Sequence, residues 1–113
     1  MEIEHSRVNG YPFLELSGRV DVDTSSKLRK ALHRWVKKKA TAILIGLDGV
    51  GYMDTSGVAT LIECQRQMEE YGGRLLLVAV DHQITEALSL AGVKDEFEVF
   101  EDRQHAADQL PSE

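Results

Sequence analysis

In the stretch Val50-Gly51-Tyr52-Met53-Asp54-Thr55-Ser56-Gly57-Val58, two hydroxyls, Thr55 and Ser56, stand where an apolar strand pattern gives way to an amphipathic helix pattern. N–H groups in the first turn of a helix have no partner within it, and the helix dipole adds partial positive charge there. A phosphate on Thr55 or Ser56 is therefore well placed. Asp54, Thr55 and Ser56 are equally the residue types that cap helices with no further chemistry. Both readings stand at this point. Tyr52 and Met53, two bulky residues expected in the turn, and Gly57, useful where another backbone or a partner must approach closely, favour a functional surface.

Other chemistry finds little material. His5, His33, His82 and His105 are scattered, and none has a second ligand at metal-binding spacing, so no metal site is expected. Asp54 stands where a nucleophile elbow around Ser56 needs glycine, there is no phosphate-loop motif, and Gly49-Val50-Gly51 is an isolated fragment. Asp21 and Asp23 alternate with Val20 and Val22 and read as a strand end feeding a capped helix. Cys64 falls within a helix pattern beside Glu63, with no adjacent cation to lower its pKa, and reads as a packed, inert thiol. No catalytic constellation emerges, and neither an enzyme nor a cofactor is expected.

A chain of 113 residues, 42% hydrophobic, fits one compact domain. Its net charge of −6 argues against nucleic acid, and the one uninterrupted basic run, Lys37-Lys38-Lys39, falls where cations complement a helix C-terminus. With a single cysteine, no cleavable leader pattern and no apolar stretch near 18 residues, the chain reads as cytoplasmic and not membrane-inserted.

Strand patterns over residues 2–8 and 13–17 flank Asn9-Gly10, which predicts a hairpin. Asp23, Thr24 and Ser25 mark a helix start, and Leu28, Ala31, Leu32, Trp35 and Val36 recur at helical spacing to about Lys39. The apolar runs 42–47 and 75–80 read as strands buried on both faces, joined by a helix that begins near Gly57 and stops at Gly72-Gly73. A third helix after Asp81-His82 stops at Gly92, residues 97–100 predict an edge strand, and a last helical segment covers 103–110. Asp81 reads as the cap of the third helix, and the carboxyl ends of the strands are expected to place His82 and Asp54 on the same rim of the sheet. The fold expected is α/β: a mostly parallel sheet of four to five strands, opened by an antiparallel hairpin, with three to four helices packed on it.

The arrangement resembles the STAS domains of bacterial anti-sigma-factor antagonists over nearly the whole chain. The resemblance rests on Leu16-Ser17-Gly18-Arg19-Val20-Asp21, Leu47-Asp48, Met53-Asp54-Thr55-Ser56-Gly57-Val58, Gly72-Gly73-Arg74-Leu75 and Ala87-Leu88-Ser89-Leu90-Ala91-Gly92-Val93. It implies a STAS domain over 1–110 with a frayed tail at 111–113. It also implies an adaptor that binds an anti-sigma factor, itself a serine kinase, and so releases a sigma factor until phosphorylation breaks the contact and a phosphatase resets it. The family's target hydroxyl follows the motif's Asp and maps onto Thr55, where Thr replaces the commoner Ser, with Ser56 beside it. Asp21, Asp23, Thr24, Ser25, Tyr52, Met53, Asp54, Gly57 and Val58 are the expected contact residues. Met53 and Val58 are equally core candidates. The Asp-Thr-Ser-Gly-Val-Ala-Thr-Leu-Ile stretch also resembles STAS regulatory subunits of lipid-transporting ABC complexes, which implies the cytoplasmic ATPase as the alternative partner.

Overall fold

A computed structural model describes residues 1–111; positions 112 and 113, within the tail expected to fray, lie outside the described residues. The Pro111 carbonyl accepts a hydrogen bond from the Tyr11 hydroxyl at 2.5 Å. Strands β1 (Glu2–Val8) and β2 (Tyr11–Val20) form the hairpin, followed by α1 (Ser25–Lys37), β3 (Ala42–Met53), α2 (Thr55–Glu69), β4 (Arg74–Val78), α3 (His82–Leu90), β5 (Glu98–Phe100) and α4 (Arg103–Asp108). A 3₁₀ turn at Lys94–Glu96, absent from the sequence reading, leads into β5. The five strands lie in the order β1-β2-β3-β4-β5, antiparallel in the first pair and parallel in the rest.

Asn9 and Gly10 both take positive φ, 51° and 87°, the conformation of the tight turn that matches strand twist, and this sets the hairpin register. Each later strand is added on the same side of the sheet. Right-handed crossovers then put α1, α2 and α3 on one face. Leu28 and Leu32 of α1, Leu61 and Met68 of α2, and Ile84 and Leu88 of α3 bury there against Leu14, Leu16, Ile43, Ile45, Leu75 and Leu77. On the other face Ala106 of α4 joins Tyr11, Phe13, Leu44, Leu76 and Val78. β3 and β4 are therefore apolar on both sides over their paired length, as unbroken hydrophobic runs require.

Two elements exceed their sequence patterns. β2 runs from Tyr11 to Val20, and β3 continues to Met53, so Asp48 to Met53 is strand where a loop was expected. Pairing with β2 supplies the reason: register slips between Glu15 and Ser17 and between Gly18 and Arg19 insert extra β3 residues while keeping Val20 opposite Met53. β4 stops at Val78, short of the expected Val80, because Ala79 turns to φ 59°, although its N–H still reaches Phe100 O at 2.9 Å.

α1 ends two residues early for a similar reason. Ala40 N bonds Trp35 O at 3.0 Å and Lys39 N bonds Val36 O at 2.9 Å, which closes the helix with Lys39 in the left-handed region at φ 59°. Glycine holds the matching positions at the ends of α2 and α3, Gly72 and Gly92, at φ 81° and 73°. Lys39→Gly is expected to stabilise the domain by about 0.5–1 kcal/mol, read as a higher urea midpoint at unchanged slope.

Candidate functional site

The parallel strands deliver their carboxyl ends to one rim, where Val20 of β2 lies opposite Met53 of β3 and Asp54 N donates to Val20 O at 3.1 Å. That bond fixes where α2 starts. The Asp54 side chain accepts from Ser56 N at 2.9 Å and Gly57 N at 3.2 Å, and its carbonyl accepts from Val58 N. The N–H groups that the sequence offered to a phosphate are thus already taken by a carboxylate, and α2 begins at Thr55 rather than near Gly57. Thr55 is exposed and Ser56 half-buried, and neither hydroxyl hydrogen-bonds to another described residue. Asp54→Ala is expected to cost about 1 kcal/mol through loss of the cap, measured by thermal unfolding.

The β2–α1 loop beside this cap is knitted by Asp21 and Thr24. The Thr24 hydroxyl accepts from Asp21 N and donates to Arg19 O, both at 2.9 Å, while Asp21 Oδ1 accepts from Asp23 N at 3.0 Å. Thr24 therefore makes no side-chain cap on α1, contrary to its expected role, because its hydroxyl is spent on the loop. Desolvation pushes the Asp21 carboxyl up, but together the hydrogen bonds from Asp23, Thr24 and Arg19 outweigh it and hold the group below the usual carboxylate range. Asp23 is exposed at the loop's outer edge.

A shallow groove of about 330 Å³ runs from Thr55 to α3, lined by Tyr52, Met53, Asp54 and Val58 on one side and Ala87, Leu90 and Ala91 on the other. Tyr52, at the end of β3 rather than in a turn, is half exposed and carries the Arg19 guanidinium 4.1 Å above its ring. Met53 and Val58, at 6% and 3% exposure, belong to the core and form only the groove floor. Gly57 is buried too. A Cβ there would lie 2.7 Å from Met53 Cγ and 2.8 Å from Val20 Cγ1, so the close approach it permits is to this domain's own residues. Ser25, expected at the contact surface, is likewise buried.

Two exposed apolar residues escaped the sequence reading: Val22, 71% exposed in the β2–α1 loop, and Leu90, 82% exposed at the end of α3. A signal for Leu90 was present, since it lies off the stripe of Ile84, Ala87, Leu88 and Ala91. Val22 had none, because alternation made it look like strand.

Because β3 and β4 are parallel, Asp81 and His82 follow β4 at the same rim of the sheet as Asp54. Asp81 caps α3 through Ile84 N at 2.9 Å, and the His82 side chain lies in solvent 3.8 Å from Glu86. Burial, with the Glu63 charge, pushes the Cys64 thiol up to about 12, which makes it inert at neutral pH. Among the described residues, no group of three His, Cys, Asp or Glu side chains is placed to hold a metal ion, and no helix is long and apolar enough to cross a membrane.

A mostly parallel five-stranded sheet, a capped helix start with an unbonded hydroxyl and a shallow groove define a small α/β domain. The chain belongs to the STAS domain family, whose pattern matches residues 2–106. It is 22% identical over 111 residues to an anti-sigma F factor antagonist of Paenibacillus polymyxa, covering 97% of this chain and 93% of that one. It is also 28% identical over 85 residues to a probable sulfate transporter 3.5 of Arabidopsis thaliana; that match takes in 73% of this chain but only 13% of the much longer transporter. Its fold matches the phosphorylated form of the Bacillus cell fate determinant SpoIIAA with a TM-score of 0.77 at 18% identity, covering 97% of this chain and all of that one.

Proposed function

We propose that this chain is an anti-sigma factor antagonist that binds an anti-sigma factor with serine kinase activity and is switched off by phosphorylation at Thr55, with a phosphatase restoring it. The observation that carries the reading is the setting of Thr55: an exposed, unbonded hydroxyl at the first turn of α2, bordered by the Tyr52–Leu90 groove. Likeness to antagonists over nearly the full chain supports the same reading.

The mechanism follows from what surrounds the hydroxyl. A partner that seats an apolar side chain in the groove and covers Tyr52 and Leu90 must desolvate Thr55. A neutral hydroxyl tolerates that; a phosphate of about −1.5 to −2 charges does not. Because Asp54 already occupies Ser56 N and Gly57 N, a phosphate on Thr55 meets a carboxylate at those two groups and is repelled outward onto the docking surface. The domain keeps its fold and the partner loses its contact. Ser56, half-buried beside Thr55, is the second acceptor in the motif.

The test is retrieval of partners from the native cytoplasm with the wild-type chain as bait, followed by mass spectrometry of both the retrieved proteins and the bait. A kinase-like anti-sigma factor, with phosphate on Thr55 or Ser56 in the unbound fraction, is the expected result. Retrieval of an ABC-transporter ATPase with both hydroxyls unmodified would assign the surface to the transport-adaptor class instead.

A further inference from the structure

Charge is distributed very unevenly in this chain. Seven of its thirteen Lys and Arg residues fall between positions 27 and 39, and no acidic residue occurs from 24 to 47; the rest carries six basic residues against all nineteen acidic ones. All seven are exposed, on α1 and its C-terminal cap. Neighbours such as Lys30 and Arg34, or Arg34 and Lys38, stand one turn apart and repel each other, a cost that mixed-sign faces avoid. α2 shows the usual mixture, with Glu63, Arg66 and Glu70 on its outer side. On α1 the only ion pair among the described residues is Arg29 with Glu63 at 3.2 Å.

The fold enlarges this ridge. Ile3 packs on the helix side of the sheet and Val8 on the other, so strand alternation turns His5 and Arg7 toward α1 and sends Glu2 and Glu4 to the opposite face. Arg7, Arg34 and Lys38 sit 5.2, 5.8 and 5.1 Å from the Trp35 ring, joining β1 and α1 into one cationic surface about 20 Å long. α1 flanks α2 on one side and has only the sheet's β1 edge on the other, which leaves this surface open.

We propose that the outer face of α1, with Arg7, docks the domain on an anionic phospholipid membrane surface by electrostatic adsorption without insertion. Charge complementarity carries the choice, and the shape of the ridge narrows it. The hollow between α1 and α2 at Arg29, His33 and Glu63 holds only about 10 Å³, and one of about 140 Å³ beside Arg7, Trp35 and Lys38 lies at one end of the ridge, so most of the cationic face is flat. Trp35 is half-buried beneath three cations and not free to stack on a nucleic-acid base. Flexible lysines on an open ridge match a diffuse sheet of headgroup charge, which attracts each basic residue held near it. This inference is independent of the reading of Thr55.

The test is co-sedimentation of the full chain with phosphatidylcholine vesicles, with and without phosphatidylglycerol. Binding is expected only to the anionic vesicles and is lost in about 1 M salt, where the Debye length is near 3 Å. Lys30→Gln/Arg34→Gln/Lys38→Gln is expected to bind roughly a hundredfold more weakly. Its circular dichroism melt should match wild type, since all three side chains are exposed. Lys94→Gln/Arg103→Gln, off the ridge, should bind as wild type does. No sedimentation with anionic vesicles, equal sedimentation with neutral ones, or insensitivity to the triple substitution overturns the proposal. So does binding to a short DNA duplex, abolished by the same triple substitution, in the absence of vesicle binding. The salt reversal of the wild-type chain tests the electrostatic claim even if the triple variant folds poorly.

Discussion

Gly57→Val is expected to destabilise the domain by about 3 kcal/mol, a large part of the 5–15 kcal/mol that a domain of this size commands. The Cβ alone would sit 2.7 Å from Met53 Cγ, 2.8 Å from Val20 Cγ1 and 3.1 Å from Val20 O. None of these can yield cheaply, because Val20 is fully buried and its carbonyl holds Asp54 N. Gly57→Ala meets the same contacts but recovers about 1 kcal/mol of helix propensity, so its net loss should be nearer 1 kcal/mol. Valine adds two methyl groups to that collision and recovers less. Urea midpoints rank the three proteins, and a Gly57→Val chain as stable as wild type would show that the first turn of α2 is not clamped against β2. The clamp also fixes the start of α2, and with it the position of Thr55 at the groove.

Thr55→Glu is expected to weaken partner binding by about 3 kcal/mol, roughly a hundredfold, while Thr55→Ala stays within about tenfold of wild type. Both should unfold within about 1 kcal/mol of wild type, since the side chain is exposed and its hydroxyl unbonded. The glutamate places a full charge beside the Asp54 carboxylate and at the edge of the groove, and covering it with a partner costs a desolvation that the neutral hydroxyl does not. Calorimetry with the retrieved partner measures the affinities, and thermal melts measure stability. Equal affinity of the Glu variant and wild type would falsify the switch. Unfolding of both variants would instead make Thr55 a structural residue. If Thr55→Glu and Gly57→Val both lose binding, the melts separate them: the first remains folded.

Much of the architecture was written locally. Asn9-Gly10 dictates the hairpin because both residues tolerate positive φ, and Gly72 and Gly92 end their helices for the same reason. Asp54 and Asp81 cap the helices they precede, as their side chains permit over a few residues of chain. Unbroken apolar runs announce β3 and β4 as central strands because only a strand covered on both faces can hide them. These features depend on the backbone preferences and side-chain reach of neighbours in sequence, so the sequence by itself determined them.

The burial of the site residues depended on what lies across the core. Met53, Gly57 and Val58 look like loop and helix-start residues until Val20 arrives opposite Met53 through the β2–β3 pairing, which draws them inside. The same pairing carries β3 past Leu47, since its N–H and C=O groups find partners on β2 that no local signal reveals. Thr24 lost its capping role to the Arg19 carbonyl and the Asp21 amide, and Leu90 gained its exposure because α3 turns Ile84 and Leu88 inward. Residue order thus determined the elements, their caps and the motif at Thr55. Tertiary structure alone decided which of those residues stay exposed, because exposure is a property of contacts between segments distant in sequence.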